Sequence, residues 1–195
     1  VDIHELIRNR RSIRKFKPDP VPPDVLTKIM DSAIWAPSAM NRQMWKFFIL
    51  QDGMRDRLAT LHQPIFAEME PRLRDRYGDA GVELRRALYI DFANAPVAIA
   101  VFTEKGEHSD KMAMISAALA CQNILLAASA EGLGSLVMGS SQIIQDEITF
   151  LCGMDPARSE FVMVILIGYA DEIPDPPERR RKRVVYASSP QEIKH

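Results

Sequence analysis

The chain is poor in cysteine and nearly without net charge. Only Cys121 and Cys152 occur in 195 residues, neither in a CxxC pair nor at metal-ligand spacing, so a disulfide framework and a zinc cluster are both excluded. They are read as buried thiols, in keeping with a reducing cytoplasm. Twenty-five basic residues against twenty-six acidic ones leave a net charge of -1. There is no global pull toward nucleic acid or an anionic membrane, and any positive region must be local. The four histidines, His4, His62, His108 and His195, show no ligand spacing. GxGxxG and GxxxxGK[ST] are absent, which removes the dinucleotide fingerprint and the P-loop. There is no internal repeat. The opening VDIHELIRNRR is charged and amphipathic, unlike a secretory leader.

What is present suits one soluble domain, at 47% hydrophobic and 26% charged. Ile3, Leu6 and Ile7 have helical spacing, and KPDPVPP (17–23) is a rigid connection. Pro23 and Asp24 open a helix reaching Ala33 or Trp35. Lys46 to Leu50 is a strand. Short helices follow over 54–61, 65–77 and 82–92, broken at Gly78 to Gly81. Ala95 to Phe102 and Glu160 to Ala170 read as buried strands, SLVMG (135–139) as a short one, and Ser141 to Phe150 as a helix with Ile144 and Ile148 inward. Met112 to Ala130 is apolar enough to raise a membrane span, but Gln122 and Asn123 lie in its middle. It is read as a helix buried on nearly every side, partly by a second subunit. EGLG supplies its C-terminal stop.

Two basic clusters stand out. The first holds Arg8, Arg10, Arg11, Arg14 and Lys15, with Ser12 among them; the second runs from Arg179 to Arg183. A solvated surface, a nucleic-acid arm and a small-anion pocket all remain open. A hydroxyl beside guanidinium forks favours phosphate chemistry. No helix-turn-helix pattern or aromatic platform accompanies the charge. In APSAMNRQMWKF, Pro37 stops a helix, and Ser38 and Asn41 then place short polar groups before a strand. They either cap a turn by bonding local backbone or line a ligand pocket. Trp35 and Trp45 are read as packing.

Taken together, RRSIRKF, APSAMNRQMWKFFIL, DKMAMISAALACQNILLAASAEGLGSLVMGS and LIGYADEIPDPPERRRKRVVY resemble, in order, the conserved segments of the FMN-dependent nitroreductase superfamily. The resemblance implies an α+β nitroreductase-like fold, with a central mixed, mainly antiparallel sheet surrounded by helices in an intertwined homodimer. Residues 1–170 would form a single FMN-binding domain, and 171–195 an extended tail completing the dimer and flavin site. Arg10 and Ser12, aided by Arg11, would hold the phosphate and ribityl side, with Arg14 toward N1 and O2 of the ring. Pro37, Ser38, Ala39 and Asn41 would approach from the partner subunit. Met138 and Gly139 would lie beside the ring near N5, and Arg180 or Lys182 would return a phosphate contact.

The implied activity is reduction of nitroaromatics, quinones or another small electron-poor acceptor by NADH or NADPH, with ping-pong kinetics, in the cytoplasm. Hydride transfer would occur at FMN N5, with no catalytic side chain and no metal. A guanidinium at Arg14 would stabilise negative charge developing at N1 and O2. A specialised enone reductase, a dehalogenase, an oxygen-dependent flavin-consuming enzyme or a flavin-binding protein are the alternatives. Ala39 stands where the family has a second serine, and Met44 where it has proline, which is expected to loosen the elbow. Residues 51–91 match no motif.

Overall fold

Runs that are apolar at nearly every position form the centre of the molecule. A computed structural model describes residues 2–105, 111–180 and 183–184. Four strands, β1 (Trp45–Leu50), β2 (Val97–Glu104), β3 (Gly134–Met138) and β4 (Ser159–Gly168), form one sheet in the order β1-β2-β4-β3. All three pairings are antiparallel. Among the described residues, a parallel element comes only from a bridge between Ser12 and Ser135, which makes the sheet mixed. β2 is buried from Val97 to Thr103, as befits a strand paired on both edges and covered on both faces.

Alternation along β2 divides the core into two layers. Val97, Ile99 and Val101 pack toward α2 (Pro23–Ile34) and α4 (Lys111–Ala130). Ala98, Ala100 and Phe102 face α3 (Asp52–Asp91) and α5 (Gln145–Leu151). α2 starts with proline at its first position and buries Leu26, Ile29 and Ala33, the expected stripe. The amide of Asn123 in α4 donates to Ser32 O of α2 at 3.0 Å, which explains a polar residue in the apolar run. Gly132, at φ 77°, takes the left-handed conformation just past α4.

Several expectations need correction. The separate helices expected over 54–61 and 65–77 are one, with Pro64 and Pro71 accommodated inside α3, while Gly78, at φ 67°, is non-helical within it. Ser141 to Phe150 is a 3-10 turn, Gly139–Ile144, followed by α5; Ile144 and Ile148 are nevertheless buried. α4 is long and apolar enough by length and composition to cross a membrane, and 44% of that window is buried inside the chain. Its other face, with Met112, Ile115 and Leu119, lies open in the single chain. Trp35 is 84% exposed and packs on nothing substantial within the chain. Cys121 is buried and Cys152 only half-buried; burial raises the thiols to about 12 and about 11, respectively.

The α3–α5 layer contains one fully buried titratable group, His62. Its Nδ1 lies 2.9 Å from Leu58 O and its Nε2 2.8 Å from Ser141 Oγ, while the Phe92 ring meets it edge-on. Burial lowers its pKa below the ordinary 6.5, against an upward pull from the Leu58 carbonyl.

Two stability measurements follow. A Cβ on Gly134 would sit 2.7 Å from Ile13 Cγ1 and 3.0 Å from Ile13 Cβ, too near the backbone for a rotamer change to relieve. Gly134→Ala should therefore cost about 1–3 kcal/mol in urea denaturation; an unchanged midpoint would mean the Ile13 strand yields freely. Because folded His62 resists protonation, the unfolded chain binds the extra proton below pH 6.5. Its contribution to stability should fall with acidification by up to about 1.4 kcal/mol per pH unit, beginning near that pH and ending at the folded pKa. Denaturation of the wild type and His62→Gln at pH 5, 6 and 7 should show a shallower slope for the variant; equal slopes would contradict the assignment.

Candidate functional site

The basic run Arg8 to Lys15 begins in a helix and ends in an extended segment, the N-terminal strand, that meets the sheet through isolated bridges at Ser12 and Phe16. α1 (Ile3–Asn9) closes at Arg10, whose N–H donates to Leu6 O. The chain then extends across the end of the sheet: Ile13 N donates to Ser135 O at 3.0 Å, and Lys17 N to Tyr169 O at 2.9 Å. Phe16 N donates to Ala93 O, and Asp171 N returns a bond to Lys15 O. This backbone pairing ties the run to the sheet, while the Arg8 and Lys15 side chains stay exposed.

Between this strand and the segment after β4 lies a cleft of about 260 Å³. Arg10, Arg11, Ser12 and Arg14 line one side, and Pro174, Asp175, Pro177 and Arg179 the other. The nearby acids are otherwise engaged. Asp171 pairs with Lys15 at 3.2 Å, and the Glu172 carboxylate accepts the Arg14 backbone N–H. Arg11 donates to the Arg8 and Arg10 carbonyls, and Arg14 to Ser12 O at 3.2 Å. Among the described residues, none of the four cleft arginines forms an ion pair with a carboxylate. Burial first, then the charges of Arg179 and Arg11, push the Arg10 guanidinium below its ordinary value, though it stays a cation. Four guanidinium groups facing one carboxylate form a site that lacks negative charge. With the Ser12 hydroxyl beside them, this donor set fits a phosphate monoester such as that of FMN.

Among the described residues, the basic tail residue that lines the cleft is Arg179. Arg180 is exposed and outside the lining, and Lys182 lies outside the described residues. Charge count alone could not rank neighbours within RRRKR. The flanking Pro174 and Pro177 were the usable signal, because they keep the tail extended as it passes the N-terminal strand.

Met138 ends β3 opposite Val164. It is three residues, or ~10 Å, along the strand from Ser135 and the Ser12 bridge. Gly139 opens the following turn and is exposed, and a Cβ there would meet nothing within 4 Å.

The elbow is built differently from the expectation. Ser38 Oγ accepts Gln43 N–H at 3.1 Å, a local cap, but Asn41 Oδ1 takes a side-chain donor, Gln43 Nε2. Met40, Asn41 and Gln43 all have positive φ, near 50°, an unusual run for non-glycine residues and one found at functional turns. Ala39 N donates to Ser116 Oγ of α4, and Ser116 in turn donates to Met112 O. Sequence reading missed Ser116, a hydroxyl in an alanine-rich run. Met44, where the family has proline, is 3% exposed, and its carbonyl accepts from Glu104 N and Thr103 Oγ1. Among the described residues, no hydrogen bond, ion pair or common cavity joins Ser38, Ala39 or Asn41 to the arginine cleft. Pro37 and Asn41 are exposed.

Comparison with known proteins supplies the family. The chain is 34% identical to a Methanothermobacter thermautotrophicus protein named for NADH dehydrogenase or NAD(P)H nitroreductase activity. That match covers 141 residues, 71% of this chain but only 61% of the relative. A 4-nitrobenzoate reductase from Pseudomonas putida is 27% identical, with 88% of this chain and 86% of that protein aligned. The fold matches the FMN-dependent nitroreductase NfnB from Mycobacterium smegmatis, solved with NADPH, at a TM-score of 0.79 and 22% identity, covering 95% and 97% of the two chains. The Nitroreductase family pattern itself aligns with residues 7–169. With most of its length inside that pattern, the chain belongs to the nitroreductase family.

Proposed function

We propose that this protein is an FMN-dependent oxidoreductase that uses NADH or NADPH to reduce nitroaromatics, quinones or another small electron-poor acceptor. The observation that carries the reading is the cleft of Arg10, Arg11, Ser12, Arg14 and Arg179, four guanidinium groups and a hydroxyl around one carboxylate, in a chain of this family. Arg10, Arg11, Ser12 and Arg179 would hold the phosphate and its linker, with Arg180 or Lys182 as further tail donors. Met138 and Gly139 would border the ring, where Gly139 leaves room for close approach. When bound, FMN supplies the two-electron chemistry, taking hydride from the nicotinamide and passing electrons to the acceptor. Arg14 would stabilise negative charge developing on the ring edge.

The assembly belongs to the same proposal. Ile3 and Ile7 of α1 and Met112, Ile115 and Leu119 of α4 are each 43–53% exposed, on two helices that touch. A contiguous apolar face of this kind fits a partner surface, here a second copy of the chain. Dimerisation would bring Pro37, Ser38, Ala39 and Asn41 of the partner subunit to each flavin, which accounts for an elbow remote from the cleft of its own chain. A reaction drawing on reduced nicotinamide suits the cytoplasm.

Anaerobic stopped-flow mixing of the FMN-loaded protein with NADH, then NADPH, should bleach the flavin rapidly with at least one of them; failure with both would remove the reductase reading. Arg10→Gln and Arg179→Gln should each weaken FMN binding by about tenfold or more. In ligand-free protein at low ionic strength they should leave the melting temperature unchanged or raised, because like charges are removed. Unaltered FMN affinity in both variants would show that the cleft is not the phosphate site. Ile115→Glu, on the open face of α4, should give a folded monomer by sedimentation with greatly reduced FMN affinity. A variant that stays dimeric, or a monomer that binds FMN normally, would sink the shared-site assembly.

A further inference from the structure

His62 has no part in the chemistry described above, yet it is fully buried and directionally bonded. Its tautomer follows from its partners. Leu58 O only accepts, so Nδ1 carries the proton and donates across 2.9 Å. Nε2 is then the acceptor, and the Ser141 hydroxyl, also fully buried, donates to it at 2.8 Å. Ser141 lies in the 3-10 turn Gly139–Ile144, two residues beyond Gly139. That turn has no side-chain cap at its start. Its described side-chain ties are Gln142 Nε2 donating to Val162 O of β4 and Ser141 donating to His62 of α3. The Phe92 ring, 5.0 Å away and edge-on, fixes the imidazole plane.

We infer that His62 is a positioning residue for the flavin edge: through the Ser141 hydroxyl it sets the backbone of the turn that presents Met138 and Gly139. The inference rests on the reading above that these two residues border the ring. A buried imidazole is a costly way to fill core volume, since an apolar residue needs no partner there. What it adds is direction, a fixed acceptor that permits one setting of the Ser141 side chain and of the backbone carrying it. Its neutral state keeps that acceptor available, and among the described residues no charged group bonds to it.

The test compares Ser141→Ala, His62→Leu, their double variant, His62→Gln and Gly139→Ala. Each is measured for FMN affinity by titration of the apoprotein, for visible circular dichroism of the bound flavin, and for the flavin midpoint potential. Ser141→Ala and His62→Leu should each weaken FMN binding about three- to tenfold and shift the dichroism and potential in the same direction, with no further change in the double variant. His62→Gln, whose Oε1 can accept from Ser141 while its amide donates to Leu58 O, should recover most of the wild-type signature. Ser141→Ala removes a single atom, so it stays informative if His62→Leu does not fold. A lowered melting temperature with unchanged flavin affinity, dichroism and potential would overturn the inference and leave a purely structural pair. Gly139→Ala separates the two levels, because its methyl enters open space in the chain itself. If it perturbs the flavin while Ser141→Ala does not, the positioning role alone is wrong. If Gly139→Ala is silent in all three readouts, the turn does not border the ring, and both readings are wrong.

Discussion

The site depends on holding like charges together with backbone hydrogen bonds. Arg10, Arg11, Arg14 and Arg179 carry like charge in one cleft, and burial first, then the charges of Arg179 and Arg11, hold the Arg10 pKa below its ordinary value. What opposes the repulsion is the strand from Ser12 to Lys17, bonded to Ser135, Ala93 and Tyr169 and accepting from Asp171. Backbone pairs do not weaken with salt as surface charges do, so the cleft keeps its shape whether or not an anion fills it. Phe16, 1% exposed, and Ile13, 6%, anchor the same strand from below. Glycine at 134 permits the approach of Ile13, and glycine at 168 the approach of Phe16 and Pro96.

The support extends further than the strand. Ala93, which receives Phe16 N–H, lies in a run of three left-handed residues, Phe92 to Asn94. Such a run is unfavourable for non-glycine residues, and Arg55 offsets it by donating to Asp91 O and Ala95 O, at its two ends. Its guanidinium also lies over the Phe92 ring at 5.5 Å. A residue in the first turn of α3 thereby helps to position the phosphate strand without approaching the cleft itself.

Much of this was legible in the sequence, for identifiable reasons. Strands buried along most of their length carry an apolar run, so β2 and β4 were visible to within about two residues at each end. Caps need particular residues, so Pro23 and Gly132 marked helix ends. The arginine cluster was visible because Ser12 interrupted it. Other features carried no local signal. Prolines normally stop helices, yet Pro64 and Pro71 lie inside α3. Arg179 was indistinguishable from its neighbours until the fold placed Arg10 opposite it. The burial of Met44 carried no signal either, because the donors that reach its carbonyl, Glu104 N and Thr103 Oγ1, are remote in sequence. His62 was passed over because its partner Ser141 is remote in sequence.

The strand order also governs how the sheet can be made. β4, the last strand in sequence, is inserted between β2 and β3, and no two neighbouring strands are joined by a tight hairpin; the 40-residue α3 separates β1 from β2. Until residue 168 has left the ribosome, β2 has no partner on one edge and β3 has none in the sheet. The arginine strand has only part of its docking edge, since Tyr169 to Asp171 follow β4. Such long-range closure makes for slow folding and leaves an apolar strand edge exposed during synthesis, the condition in which nascent chains aggregate or recruit chaperones.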